Sequence, residues 1–181
     1  MKKLLTSLFL ATLILSAQNN ATKDANATTA KSNEQKVLTF NLTATNGTKI
    51  EIVETKDGLK YTTLPNKEVI LFFYIYDGAP CQNELEVFKK LKAQNKDKLE
   101  IVAIELKGLD KEKLSAYAKK KELNFLSVVG KDAMNFVQYI AQRAQWQGTV
   151  PFIIITDKEG RVKHIQIGAM SLEQLQKIIS Y

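Results

Sequence analysis

Val69-Ile-Leu-Phe-Phe-Tyr-Ile-Tyr76 runs directly into Asp77-Gly-Ala-Pro-Cys81-Gln-Asn-Glu84-Leu85, and this junction governs the interpretation of the whole chain. An unbroken apolar and aromatic run predicts a central strand covered on both faces, since a half-wet strand would alternate with polar residues. Pro80 is tolerated in the first turn of a helix, so a helix is expected to start there. At 3.6 residues per turn, Cys81, Leu85 and Phe88 share one face of that helix, with Leu91 at its edge. A buried strand thus feeds a helix that carries the chain's single cysteine at its head.

Outward from this seed the pattern stays regular. Leu38, Phe40 and Leu42 alternate with polar residues, Asn46-Gly47 signals a hairpin turn, and Ile50 to Val53 returns as a second strand. Asp57-Gly58 marks another turn. Downstream, Ile101 to Leu106 predicts a buried strand, Asp110 to Lys121 a helix, Phe125 to Val129 a short strand and Asp132 to Arg143 a helix. Phe152 to Thr156 and Val162 to Ile167, joined by Asp157-Lys-Glu-Gly160, predict an antiparallel pair. Ser171 can cap a last helix whose apolar stripe is Leu172, Leu175, Ile178 and Ile179. The expected class is α/β: a central mixed sheet flanked by helices, with an N-terminal β-hairpin extension.

Residues 1–17 have a charged start (Lys2, Lys3), an apolar stretch from Leu4 to Leu15 and small residues Ser16-Ala17, the layout of a secretory signal peptide. Leu15-Ser16-Ala17 resembles the end of a lipoprotein leader, but Gln18 stands where that box requires a cysteine. The expectation is export to the periplasm as a soluble protein, with an uncleaved N-terminal membrane anchor as the alternative. Residues 18–36 are Asn, Ala, Thr, Lys and Ser in no periodic order, too polar to pack, and are expected to form a disordered tether. Within it, Asn26 heads an Asn-x-Thr triplet with Asp24 two residues earlier, a candidate N-glycosylation acceptor; chance occurrence in an Asn/Thr-rich linker is the competing account. Residues 37–181 remain as one domain. The net charge of +7 comes from short lysine runs such as Lys119-Lys120-Lys121, interleaved with acids and poor in aromatics. That is a solvated helix face, and nucleic acid is not an expected partner.

Two separated stretches carry a family resemblance. Residues 69–91 resemble the strand, turn and first helix of the TlpA/ResA-like branch of the thioredoxin superfamily, whose pattern is roughly Trp-Cys-x-Pro-Cys-x-x-Glu. Pro80, Cys81 and Glu84 match it; Asp77 stands at the tryptophan and Gly78 at the nucleophilic cysteine. Residues 148–168, beginning Gly148-Thr-Val150-Pro151-Phe152, resemble that family's cis-proline loop and following hairpin. The resemblance implies a thioredoxin fold over residues 37–181, with Val150-Pro151 cis and facing Cys81. It further implies that Gly78, Ala79, Pro80, Val150 and Pro151 border an extended polypeptide substrate. The implied partners are thiol-containing or unfolded periplasmic proteins and a membrane redox partner, with no cofactor.

Dithiol exchange needs one sulfur to attack and another to resolve the mixed disulfide, and Cys81 is alone. Two readings of it stay open. A helix N-terminus stabilises a thiolate and activates it, whereas the Cys81/Leu85/Phe88 face points to the core, where a cysteine is a small hydrophobe. The chain is accordingly either a monothiol redox protein acting through Cys81 or a binding or chaperone module that has lost catalysis. Whether it is an enzyme stays open.

Asp77 is a candidate helix cap, and Glu84 is expected to serve stability through a first-turn charge pattern. His164, the only histidine, alternates with Val162 and Gln166 and is expected to be a sheet residue. Trp146 either lines the groove beside the loop or packs in the core. No metal is expected: the related Sco proteins bind copper with two cysteines and a histidine, and Asp77 occupies the first cysteine's place. The peroxiredoxin pattern Pro-x-x-x-Thr/Ser-x-x-Cys also fails, since Tyr74 and Gly78 stand at its proline and hydroxyl positions.

Overall fold

A computed structural model describes residues 37–179; the leader, most of the chain before β1 and Asn26 lie outside the described residues. Three strands come first: β1 (Thr39–Thr43), β2 (Lys49–Thr55) and β3 (Gly58–Tyr61), paired antiparallel in sequence order. The expected hairpin is therefore a three-stranded sheet. The missed strand is only four residues long, and its signal is the inward pair Leu59 and Tyr61 alternating with Lys60.

The second sheet is built on β4 (Glu68–Tyr74), which ends two residues before the apolar run does. Ile75 and Tyr76 instead form the half-buried turn into α1 (Ala79–Gln94). Next come β5 (Leu99–Glu105), α2 (Lys111–Lys120), β6 (Leu126–Val129), a 3-10 turn (Gly130–Ala133), α3 (Met134–Arg143), β7 (Phe152–Thr156), β8 (Val162–Ile167) and α4 (Leu172–Ile179). The strand order is β6-β5-β4-β7-β8, with β4, β5 and β6 parallel and β7 and β8 antiparallel to their neighbours. Asp110 caps α2 by accepting the Lys113 N–H (2.8 Å). Ser171 and Gln174 cap α4 reciprocally: Ser171 Oγ accepts the Gln174 N–H, and Gln174 Oε1 accepts the Ser171 N–H.

The small sheet is tied to both edges of the large one through bridges Ala44–Val128 and Gly58–Arg161. At the second crossing backbone meets backbone. A Cβ at Gly58 would lie 2.3 Å from the Gly160 carbonyl oxygen, and one at Gly160 would lie 2.6 Å from that of Leu59. Only glycine fits at either position.

Because β4 is buried on both faces, alternate residues feed two cores. Val69, Leu71 and Phe73 join the small sheet, α3 and Trp146; Ile70, Phe72 and Tyr74 join α1 and α4, with Cys81, Leu85, Phe88 and Leu175. This is the α/β thioredoxin-like architecture, with a mixed sheet between helices. Among the described residues no helix is long and apolar enough to cross a membrane.

Candidate functional site

The head of α1 puts Gly78 at the N-cap, Ala79 and Pro80 in the first two helical positions and Cys81 in the third. Ala79 and Pro80 are exposed, whereas Cys81 is only 1% exposed beneath them. Two forces compete over its thiol. The helix end favours the thiolate by about 0.3–1 kcal/mol at the surface and about 2 kcal/mol at best. Burial wins, pushing the thiol above its ordinary value; a backbone hydrogen bond from Ile75 opposes the shift and the Glu84 carboxylate adds to it. Cys81 is thus a protonated core thiol packed with Tyr74, Leu85 and Phe88.

Asp77 does not cap α1, whose N-cap receives no side-chain hydrogen bond. It pairs instead with Lys107, which also lies 5.6 Å over the Tyr76 ring. Asp77 stands one residue before the N-cap, which is Gly78 and has no side chain to accept a helix N–H.

Glu84 is the largest departure from the sequence expectation. It is 1% exposed, with Oε2 accepting the Met170 N–H at 2.9 Å and Oε1 lacking any hydrogen-bond partner among the described residues. Burial raises its carboxyl pKa to about 7, against the Met170 N–H, which lowers it. Helical spacing could have shown this, since Glu84 follows Cys81 by three residues and shares its inward side. The Tyr74 hydroxyl is likewise buried and unpartnered, with its pKa pushed up by burial and by the Tyr117, Glu105 and Cys81 charges. Cys81, Glu84 and Tyr74 therefore form a polar inset in an otherwise apolar core.

The loop before β7 is built the opposite way. The Val150-Pro151 peptide bond is cis. Pro151 is buried, and half-buried Val150 packs against both cores. Trp146 is 5% exposed, stacks on Phe152 (4.7 Å) and meets Phe73 at a tilt (5.1 Å), while its Nε1 donates to the Thr149 carbonyl at 2.7 Å. It is a core residue that fixes the loop from below. The Val150 N–H and C=O have no backbone partner among the described residues.

His164 sits half-buried in β8 opposite Ile155, away from this constellation. No group of three or more His, Cys, Asp or Glu among the described residues could hold a metal.

The fold and site together define a thioredoxin-like protein with a single sulfur at the redox position. Residues 33–165 match the AhpC/TSA family, and the chain belongs to it. It is similar to the thioredoxin-like protein YneN of Bacillus subtilis (strain 168), 23% identical over 145 residues, 79% of this chain and 76% of that protein. Among solved structures it resembles StoA from Bacillus subtilis (TM-score 0.58, 20% identity, 78% of this chain and 96% of that one). It also resembles a secreted Mycobacterium tuberculosis disulfide oxidoreductase homologous to E. coli DsbE (TM-score 0.58, 19% identity, 78% and 94%). At these identities the structural likeness establishes the fold.

Proposed function

We propose that this protein is exported to the periplasm and engages extended or unfolded polypeptides in a thiol-redox setting through the surface formed by Gly78, Ala79, Pro80, Val150 and Pro151. The observation that carries this reading is the Val150 backbone, without a backbone partner among the described residues, on a loop that packs against the same core as Cys81 at the head of α1. An extended chain can hydrogen-bond to such an edge without any chemistry. The thiol beneath is sealed and protonated, which favours binding over turnover.

A second reading, Cys81 as a slow monothiol, is supported by its place in the first turn and by the absence of a side chain at Gly78, whose Cβ position lies 3.6 Å from Cys81 Sγ. In this step the Cys81 thiolate attacks one sulfur of a partner disulfide. A new S–S bond forms, the old one breaks, and the released partner thiolate takes up a proton. With no second cysteine, a small thiol or a partner thiol must resolve the adduct.

The deciding experiment follows capture of reduced, carboxymethylated α-lactalbumin by the purified protein, its Cys81→Ser variant and its Val150→Asp variant, with melting curves to confirm folding. Binding unchanged by Cys81→Ser and weakened about tenfold, 1.4 kcal/mol, by Val150→Asp is expected. Absence of capture by the unmutated protein, together with a Cys81-dependent mixed disulfide to the same client with its disulfides intact, would reject the binding reading in favour of the monothiol.

A further inference from the structure

We infer that the open edge of β8, with the groove beside it, is a second polypeptide-docking site. Its occupant is an extended segment of another protein that carries an aromatic or large aliphatic side chain two residues from an acidic one, so that both lie on one face of the added strand. This goes beyond the proposed function and uses the other face of the central sheet.

The backbone argument starts from register. Phe152 opposes Ile167, Ile153 opposes Gln166, Ile154 opposes Ile165 and Ile155 opposes His164. The Gly168 N–H donates to the Pro151 carbonyl at 2.8 Å, so 151–168 is a hydrogen-bonded pair. In an antiparallel ladder such pairs alternate. Gln166 and His164 therefore bond to β7, and the N–H and C=O groups of Ile165 and Ile167 point outward. The Gln166 side-chain amide donates to the Ile167 carbonyl, as an outward carbonyl requires. The first residues of β8 are already taken, since the Val162 N–H donates to the Asp57 carbonyl. The opposite end of the sheet is covered, because the Thr45 N–H donates to the Ser127 carbonyl of β6. What remains open is a short stretch at Ile165 and Ile167. Such an edge is a template for one more strand.

The side chains make the template specific. Ile165 and Ile167 are 48% and 54% exposed and stand beside Ile154 and Phe152, on the side of the sheet away from Cys81. A groove of about 140 Å3 opens next to them, lined by apolar Leu59, Ile140, Ala144, Ile154, Val162 and Ile165. A volume of about 150 Å3 lined by such residues accepts a benzene ring, so the groove is sized for one large apolar side chain.

Its rim is cationic. Lys56 and Arg143 line it; Arg143 is balanced by Glu54 at 2.7 Å, whereas Lys56 has no ion pair among the described residues. Charge complementarity therefore selects an acid two residues from the anchoring side chain, on the same face of the added strand. A second copy of this chain would bring Lys163-His164-Ile165-Gln166-Ile167, which has no acid to offer Lys56.

The test titrates a fluorescein-labelled hexapeptide, Ser-Val-Phe-Val-Glu-Thr, whose Phe and Glu share one face of an extended strand, into the purified protein. Saturable binding tighter than about 1 mM is expected, about tenfold weaker when the peptide's Phe becomes Ala or its Glu becomes Lys. Ile165→Lys, at an exposed position, should weaken binding at least tenfold yet leave capture at the Val150 surface unchanged, which separates failure here from failure of the proposed function. Lys56→Glu should reverse the preference between the Glu and Lys peptides. Absence of binding at 1 mM, equal binding by folded Ile165→Lys, or sedimentation showing that this edge only joins two copies would overturn the inference.

Discussion

The head of α1 and the loop before β7 both pack against the core that contains Cys81, yet they are built to different standards. The loop is closed from below: Trp146 stacks on Phe152 and packs at a tilt on Phe73, and its one polar atom is satisfied by Thr149. The helix head leaves Glu84 Oε1 and the Tyr74 hydroxyl unpartnered, keeps a protonated thiol and has no side chain at Gly78. Shape that presents backbone depends on many packed atoms and survives the loss of any one function. Dithiol chemistry depends on one sulfur and disappears with one substitution. The shape of the loop and the thiol chemistry of the helix head are therefore separable in this fold.

The sharpest way to break the contrast is to remove the loop's support. Trp146→Ala should cost about 3–5 kcal/mol, the range for deleting a large buried aromatic, measured by urea unfolding. Trp146→Phe keeps the stack and loses the bond to Thr149, at a cost of about 1 kcal/mol plus lost packing. Equal, small effects of both would show that the loop does not rely on Trp146.

Glu84 tests the other side. Its folded pKa is raised to about 7, so the stability it contributes is fully present below its ordinary carboxylate range and is lost as pH rises through about 7. Burial as the charged form is what the fold resists. Between pH 4 and pH 8 this amounts to up to about 3 kcal/mol, at 1.36 kcal/mol per pKa unit. Unfolding curves of Glu84→Gln should lack that component and converge on the native protein at acid pH; parallel curves would mean that Glu84 titrates in the folded protein where it does in the unfolded chain.

The smallest energetic effect belongs to Gly78→Cys. Its Cβ would stand 3.6 Å from Cys81 Sγ, and Ile75 Cγ1, 2.9 Å away, must give by a few tenths of an ångström. A cysteine at 78 therefore lies within side-chain reach of the Cys81 sulfur, and mild oxidation should reduce the free-thiol titre to zero without unfolding. A variant that keeps both thiols free would show that the helix head has lost the geometry as well as the sulfur.

Much of the frame was legible beforehand because its signals are local. β7 and β8 begin and end at the predicted residues, where turn chemistry at Asp157 to Gly160 sets the boundary. The helix predicted from Asp132 instead opens as a 3-10 turn at Gly130, where a Cβ would meet the Glu105 carbonyl oxygen at 2.3 Å. No sequence period reports such a contact. Asp77 was misjudged for the same reason: its partner Lys107 is thirty residues away.

The sequence by itself determined the α/β order, the buried central strand and the limit of one cysteine, because periodicity, turn residues and composition act over a few neighbours. Tertiary structure alone decided that Cys81 is sealed, that Glu84 is a buried carboxyl bound to Met170 and that Trp146 braces the loop. It also decided that β8 keeps an open edge. Each of these depends on which distant segment removes water from a side chain or pairs with a backbone, and desolvation is a property of the packed molecule.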